Sequence, residues 1–280
     1  MVEIVSKEKL CENTYKIEVF APLVAAKARA GQFIIVRPFE NSERIPLTVA
    51  DYDREKGTVT VIYQTVGTTT AQLAQAEEED YLASFVGPLG RASEFDGIKR
   101  ALVIGGGLGC AIAYPQAKAL KENGASVDMI AGFRNESLVI LKKEMESVSD
   151  NLYIMTDDGS FGERGFVTEK LKALVELGCE YDAVITSGPL PMMKAVSALT
   201  RNYSLKTIVS MNPIMIDGTG MCGGCRLTVG GEVKFACVDG PDFDGHKVDF
   251  DEVIRRNAAY RAEERKSYDS FCNLMKGWDE

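Results

Sequence analysis

Residues 100–124 read RALVIGGGLGCAIAYPQAKALKENG. The apolar run at Ala101–Ile104 is a buried strand, the glycines after it form a turn, and the stretch from Cys110 is a helix closed by a glycine cap at Gly124. The same alternation continues downstream. SVDMIAGF, NLYIMTDD, YDAVITSG and LKTIVSM are further strands with helical patterns between them. Strands alternating with helices imply parallel pairing, so residues 99–211 are expected to form a doubly wound α/β domain. Residues 1–98 have a different character. TYKIEVF and GQFIIVRP alternate or run apolar as strands do, PLTVADYDREKGTVTVIYQTV reads as two strands around DREKG, and a short helix is expected over Thr70–Ala76. That pattern describes a small antiparallel β-barrel.

Composition narrows the function classes. A length of 280 residues suits two domains with a small appendage, and 45% hydrophobic with 26% charged residues is ordinary for a globular protein. A formal net charge of -9, with no basic patch, argues against nucleic acid as a partner. No signal peptide or apolar spanning segment is visible, so a cytoplasmic chain without a membrane partner is expected. Three of the seven cysteines are clustered, which fits a reducing compartment better than a disulfide framework, and Cys11, Cys110, Cys179 and Cys272 are read as packing residues. The single histidine, His246, makes a histidine-based triad or a His-rich metal site improbable, and no P-loop occurs.

The clustered cysteines lie in MIDGTGMCGGCRLTVGGEVKFACVDG, residues 215–240. Plant-type iron–sulfur loops read C-x4-C-x2-C with a distant fourth cysteine. Cys222, Cys225 and Cys237 fill the last three positions, and Asp217 stands in the first. Thiolates are soft ligands, and Gly218, Gly220, Gly223 and Gly224 let the backbone fold tightly and aim N–H groups at sulfur. Cys237 follows a hairpin-like stretch with Gly230–Gly231 at its turn. A 2Fe–2S cluster held by Asp217, Cys222, Cys225 and Cys237 is expected. Structural zinc with Asp217 as fourth ligand, a redox pair, and a turn shaped by Asp217 are the alternatives.

Two further groups of residues carry cofactor chemistry. Arg44-Ile-Pro-Leu-Thr48 heads a strand, and Gly67-Thr-Thr-Thr70 begins a helix. The guanidinium can pair with a flavin pyrophosphate, the Thr48 hydroxyl can bond near the reactive flavin nitrogen, and helix-start amides can meet the same phosphates. Gly105-Gly-Gly-Leu-Gly109 follows a strand and opens a helix, as a dinucleotide site requires, although Cys110 replaces the last glycine of the strict fingerprint. Asp157-Asp158-Gly-Ser and Ser187-Gly-Pro-Leu-Pro-Met-Met193 follow strands at the carboxyl edge, where open sheets bind ligands. Taken singly, each has a plainer reading as a surface arginine, a helix cap or turn chemistry.

RIPLT, GTTT, GPLG at Gly87–Gly90, GGGLGCAIAYP and SGPLPMM together resemble the ferredoxin–NADP reductase superfamily over nearly the whole chain. The cysteine loop is similar to that of the electron-transfer subunits of dihydroorotate dehydrogenase B and their relatives. Within that group, DGTGMCGGCR and CVDGPDFDGHKVDFDE most resemble the small subunits of NADH-dependent reduced ferredoxin:NADP oxidoreductases, whose cluster has one aspartate and three cysteines. The resemblance implies that Arg44, Pro46, Leu47 and Thr48 line FAD together with Tyr63, and that Gly67, Thr69 and Thr70 hold its pyrophosphate. It implies that Gly105, Gly106, Gly107, Gly109, Asp157, Gly188, Pro189 and Met192 shape the NAD(H) site. Arg134, after a strand, is the alternative partner for a 2′-phosphate. The resemblance implies Thr48 and Ser187 as the catalytic positions; many superfamily members carry cysteine where this chain has Ser187, so a hydroxyl replaces the thiol there. Implied partners are a larger flavin and iron–sulfur subunit in a heterodimer and, through it, ferredoxin and NADP(H), with electron bifurcation. Dihydroorotate oxidation by the partner, or a non-redox zinc module, are the competing functions.

The expected architecture is therefore a FAD-binding barrel (1–98), an NAD(P)-binding α/β domain (99–211), a cluster subdomain (212–242) and a helical tail (243–280). Asp249 and Glu252 form a capping pair for a helix through about Glu264. Tyr268, Phe271, Cys272, Met275 and Trp278 make one helical stripe, which docks on this chain or on another subunit.

Overall fold

The computed structural model describes residues 2–276. Strands β1 (Val2–Cys11), β2 (Thr14–Phe20), β3 (Phe33–Arg37), β4 (Ile45–Asp53), β5 (Thr58–Gln64), β6 (Tyr81–Leu82) and β7 (Ser84–Leu89) form an antiparallel sheet in the order β6-β1-β2-β5-β4-β3-β7. Its two edge strands, β6 and β7, are separated only by Ala83, so the sheet curls into a nearly closed barrel. The alternation in TYKIEVF sends Ile17 and Val19 inward, opposite Val61 and Val59 of β5, and all four are fully buried. Each such side chain contributes on the order of 1.5–3 kcal/mol. Two short helices flank the barrel, α1 (Pro22–Ala25) and α2 (Thr68–Leu73). The second starts two residues before the expected Thr70. The Thr70 hydroxyl accepts the Val66 and Gly67 N–H groups at 3.0 and 3.1 Å, which fixes the turn one residue ahead of the helix.

The α/β sheet follows the barrel in sequence. β8 (Arg100–Gly106), α3 (Gly109–Glu122), β9 (Ser126–Phe133), α4 (Lys142–Val148), β10 (Asn151–Thr156), β11 (Glu163–Arg164), α5 (Val167–Glu176), β12 (Ala183–Ser187), α6 (Leu190–Asn202) and β13 (Thr207–Ser210) build a parallel sheet. Ala101 and Val103 of β8 pack toward α3 and α4, whereas Leu102 and Ile104 pack toward α5 and α6. With both faces covered, these strands read as unbroken apolar runs rather than alternating ones.

The cysteine segment forms a hairpin of β14 (Arg226–Val229) and β15 (Glu232–Phe235), with Gly230 and Gly231 at φ +62° and +83° in the turn. After α7 (Ala236–Asp239) the chain re-enters the α/β sheet as β16 (Asp242–Asp244), antiparallel to β13. That return was not expected from sequence, and it ties the cluster segment into the nucleotide domain. The tail helix also differs from expectation, breaking at 258–260 into α8 (Phe250–Asn257) and α9 (Arg261–Lys276). Asp249 caps α8 by accepting the Glu252 N–H at 2.9 Å, but the Glu252 carboxylate turns to the Thr228 N–H of β14 at 2.9 Å rather than back to Asp249. α9 lies against α2, where Ser267 and Thr68 share a 2.9 Å hydroxyl contact and Tyr268, Phe271 and Cys272 are half-buried. The described part of the stripe thus docks on its own chain. The Met275 side chain and Trp278 lie outside what is described. No described helix is long and apolar enough to cross a membrane.

Candidate functional site

One cleft brings the three parts of the chain together. β4 contributes Pro46, Leu47 and Thr48, the turn after β8 contributes Leu108, and the end of β13 with the stretch after it contributes Ser210 to Pro213. Met215, just before the cysteine loop, and Pro241, just after it, complete the wall. An apolar slot with a few hydroxyl and amide groups is the chemistry a planar isoalloxazine needs. Ile62 of β5 also faces the cleft. Tyr63 does not: its ring is fully buried in the barrel core, stacked on Tyr15 at 5.8 Å, with its hydroxyl unpartnered. Strand alternation puts neighbouring side chains on opposite faces, so Ile62 and Tyr63 cannot both reach the cleft.

The nucleotide turn is packed closely on the backbone and side chains of the β12–α6 turn. A Cβ on Gly109 would stand 2.2 Å from the Ser187 carbonyl oxygen, and one on Gly106 would stand 2.4 Å from the Met192 sulfur. Gly105 to Gly109 and Ser187 to Met192, separate in sequence, therefore form one surface, with Gly107, Gly188 and Pro189 within it. The Ser187 hydroxyl is buried there without a hydrogen-bond partner. Buried polar groups are costly unless satisfied, so a ligand with donors and acceptors suits this place. Asp157 and Arg134 follow paired strands β10 and β9 at the same carboxyl edge, and both are exposed. Near α2, the Thr70 hydroxyl also donates to the Gly67 carbonyl at 2.9 Å, so its polar capacity is spent inside the turn. The first-turn amides of Thr68 and Thr69 are left without intrahelical acceptors.

Within the cysteine loop, Cys225 and Cys237 are buried with their sulfurs 3.2 Å apart, and Cys222 is exposed. The Gly224 N–H points at the Cys222 sulfur at 3.4 Å. That bond and a second from the Asp217 amide pull the Cys222 thiol below its ordinary value. Burial pushes the Cys237 thiol up to about 12, and the hydrogen bond from Cys225 adds to it, while the Gly220 amide acts in the opposite sense. Amides directed at sulfur are the support an iron–sulfur cluster uses. The Asp217 Oδ2 accepts the Thr219 and Met221 N–H groups at 2.9 and 3.3 Å and also the Thr219 hydroxyl, and these bonds hold its carboxyl below the usual range. Among the described residues no three His, Cys, Asp or Glu side chains converge as a metal site. The donor set fits a cluster in chemistry, then, with two thiols already together and Cys222 and Asp217 apart from them on the loop.

Arg44 is placed differently from the expectation. Its Nε and Nη2 donate to the Ile216 and Asp217 carbonyls at 3.3 and 3.5 Å, which ties the barrel to the cluster loop rather than facing the α2 turn. Sequence reasoning also missed Met211 to Pro213, Met215 and Pro241 as cleft walls. Pro213 and Pro241 bracket the cysteine loop and were the one local signal there.

Comparison with known proteins fixes the family. Residues 212–249 match the model of the iron–sulfur cluster binding domain of dihydroorotate dehydrogenase B. A Thermotoga maritima homologue of the dihydroorotate dehydrogenase B (NAD+) electron transfer subunit is 44% identical over 96% of this chain and 95% of its own length. The subunit itself from Geobacillus thermodenitrificans is 32% identical over 88% of this chain and 96% of its own. The chain belongs to the dihydroorotate dehydrogenase B electron transfer subunit family. Among solved structures, a chain of the NADH-dependent reduced ferredoxin–NADP oxidoreductase superposes on this family member with a TM-score of 0.92 at 43% identity, covering 97% of this chain and 98% of that one. The ferredoxin reductase of carbazole 1,9a-dioxygenase shares the fold alone, with a TM-score of 0.62 at 21% identity over 73% of this chain and 64% of that one. As an oxidoreductase electron-transfer subunit of this family, the chain has a fold and a cluster domain that support FAD, NAD(H) and a 2Fe–2S cluster as its cofactors.

Proposed function

We propose that this subunit passes electrons between NAD(H), FAD and the 2Fe–2S cluster and on to a larger flavin and iron–sulfur partner, in an electron-bifurcating NADH-dependent reduced ferredoxin:NADP oxidoreductase. The observation that carries the reading is the single cleft in which the Pro46–Thr48 strand, the Leu108 turn and the segment leading into the cysteine loop meet. Bound flavin supplies the conversion of a two-electron hydride transfer into single electrons that a 2Fe–2S cluster accepts.

The protein's part is to hold and shield. Leu47, Leu108 and Met211 keep water from the cleft, and the Thr48 hydroxyl is the donor aimed at the flavin edge. The Thr68 and Thr69 amides, in a turn kept open by Gly67 and Thr70, meet the pyrophosphate. Gly105 to Gly109 admit the dinucleotide backbone, and Gly188 to Met192 with the Ser187 hydroxyl line the nicotinamide pocket. The Asp157 side takes NAD(H), and Arg134 is the residue to examine should a 2′-phosphate be accepted. At the cluster, Cys222, Cys225 and Cys237 bind iron. Asp217 keeps Oδ2 on the loop amides and offers Oδ1 as the fourth ligand, a carboxylate oriented by its own hydrogen bonds. No general base is required, which agrees with a lone histidine bonded at Nε2 to the Thr200 hydroxyl at 3.0 Å.

Affinity capture of the tagged chain from its native host tests the reading. The expected result is a two-subunit complex whose larger member carries its own flavin and iron–sulfur centres and which reduces NADP+ with reduced ferredoxin and NADH, both of which are oxidised. A partner that oxidises dihydroorotate, or a chain isolated with zinc and no flavin, would overturn it.

A further inference from the structure

Asp242 opens β16, at the point where the cluster segment re-enters the nucleotide sheet. Its Oδ2 accepts the Ser93 hydroxyl at 2.5 Å and the Gln116 Nε2 at 2.9 Å, and Ser210 of β13 is its partner across the strand register. These partners come from three places. Ser93 lies in the exit from the barrel, its N–H on the Ala30 carbonyl at 2.9 Å; Gln116 is a fully buried residue of α3; Ser210 ends β13. The other carboxyl oxygen, Oδ1, and the Gln116 Oε1 are buried with no partner at all. On the far side, Pro241 and Ser210 face the cleft, and the Met211 N–H donates to the Pro241 carbonyl at 2.9 Å. The carboxyl thus stands one residue behind the cleft wall.

We propose that Asp242 is a positioning residue for electron transfer, a buried carboxyl that ties the cluster segment to both other domains and sets the electrostatic field behind the flavin. The inference rests on flavin occupying the cleft, as proposed above. All three partners are neutral. The charged groups nearby are occupied elsewhere: Arg91 donates Nε to the Val238 carbonyl at 3.1 Å, Lys118 of α3 pairs with Asp51 at 2.7 Å, and the exposed Asp244 of β16 pairs with Lys247 at 3.3 Å. Burial pushes the Asp242 carboxyl up to about 6 against the opposing hydrogen bonds. A raised carboxyl binds its proton more tightly in the native state than in the unfolded chain. Native stability therefore declines as pH rises from the ordinary carboxylate range through about 6, and above that range a negative charge faces the flavin. Such a charge disfavours reduction.

The test uses the full chain as isolated with its flavin, in wild type, Asp242→Asn and Ser93→Ala. The flavin midpoint potential and the melting temperature are measured from pH 5 to pH 8. Asp242→Asn is expected to raise the potential at pH 8 and to match wild type at pH 5, and wild type should lose melting temperature relative to Asp242→Asn as pH passes about 6. Ser93→Ala removes a donor to the ionised form, so its step in potential should move to higher pH. That shift decides the matter alone should Asp242→Asn not fold. Bound flavin with the same potential and pH dependence in every folded variant overturns this inference only. A chain that takes no flavin overturns the cleft assignment and this inference together.

Discussion

The turn at Gly105–Gly109 and the loop at Asp217–Cys225 are both glycine-rich, yet they are held in opposite ways. The turn sits between a strand and a helix whose inner residues are fully buried, and Gly105 and Gly109 are required by neighbouring backbone and Gly106 by the Met192 side chain. The loop has Met221 at 87% exposure and an exposed Cys222, and it is held by polar contacts: the Asp217 carboxylate on its own amides, and Arg44 on two carbonyls. Gly218, pressed on Ile35 and Leu89, and the buried Cys225 anchor its two ends in the apolar cluster beside the barrel. A core-built site exists before its ligand arrives. A loop closed by side-chain chemistry is completed by the metal it binds.

Substitutions that strike one region and spare the other sharpen this contrast. The largest effect is expected for Gly109→Val, whose Cβ falls on the Ser187 carbonyl: a loss of about 3 kcal/mol or more in denaturant unfolding, with or without iron. Cys237→Ser is next. It should abolish cluster absorbance while costing the iron-free protein only about 1–3 kcal/mol for a buried hydroxyl. The smallest is Arg44→Gln, which should speed amide exchange over residues 216–224 and leave the global melting temperature unchanged. Equal protection of the turn and the loop in iron-free protein would break the comparison.

What was legible in the sequence follows the same division. Period-two strands such as Thr14–Phe20 and apolar runs such as Ala101–Ile104 were readable because local pattern and burial coincide. That the cysteine loop belongs to an iron–sulfur domain was readable because metal chemistry restricts cysteine spacing. β16 was not, since a strand of three residues with aspartate at both ends has no strand pattern and is made by its pairing with β13. The contacts of Arg44 and Asp242 were hidden for a related reason: their partners lie 172 and up to 149 residues away. The break at 258–260 had no proline or glycine to announce it.

The central claim is that flavin and cluster act as one relay joined at a single cleft. Anaerobic addition of NADH to the purified chain, followed by visible absorption and by EPR of the frozen sample, tests it most directly. Bleaching of flavin absorbance is expected together with the signal of a reduced 2Fe–2S cluster. Bleached flavin beside a cluster that stays oxidised under the same NADH would contradict it.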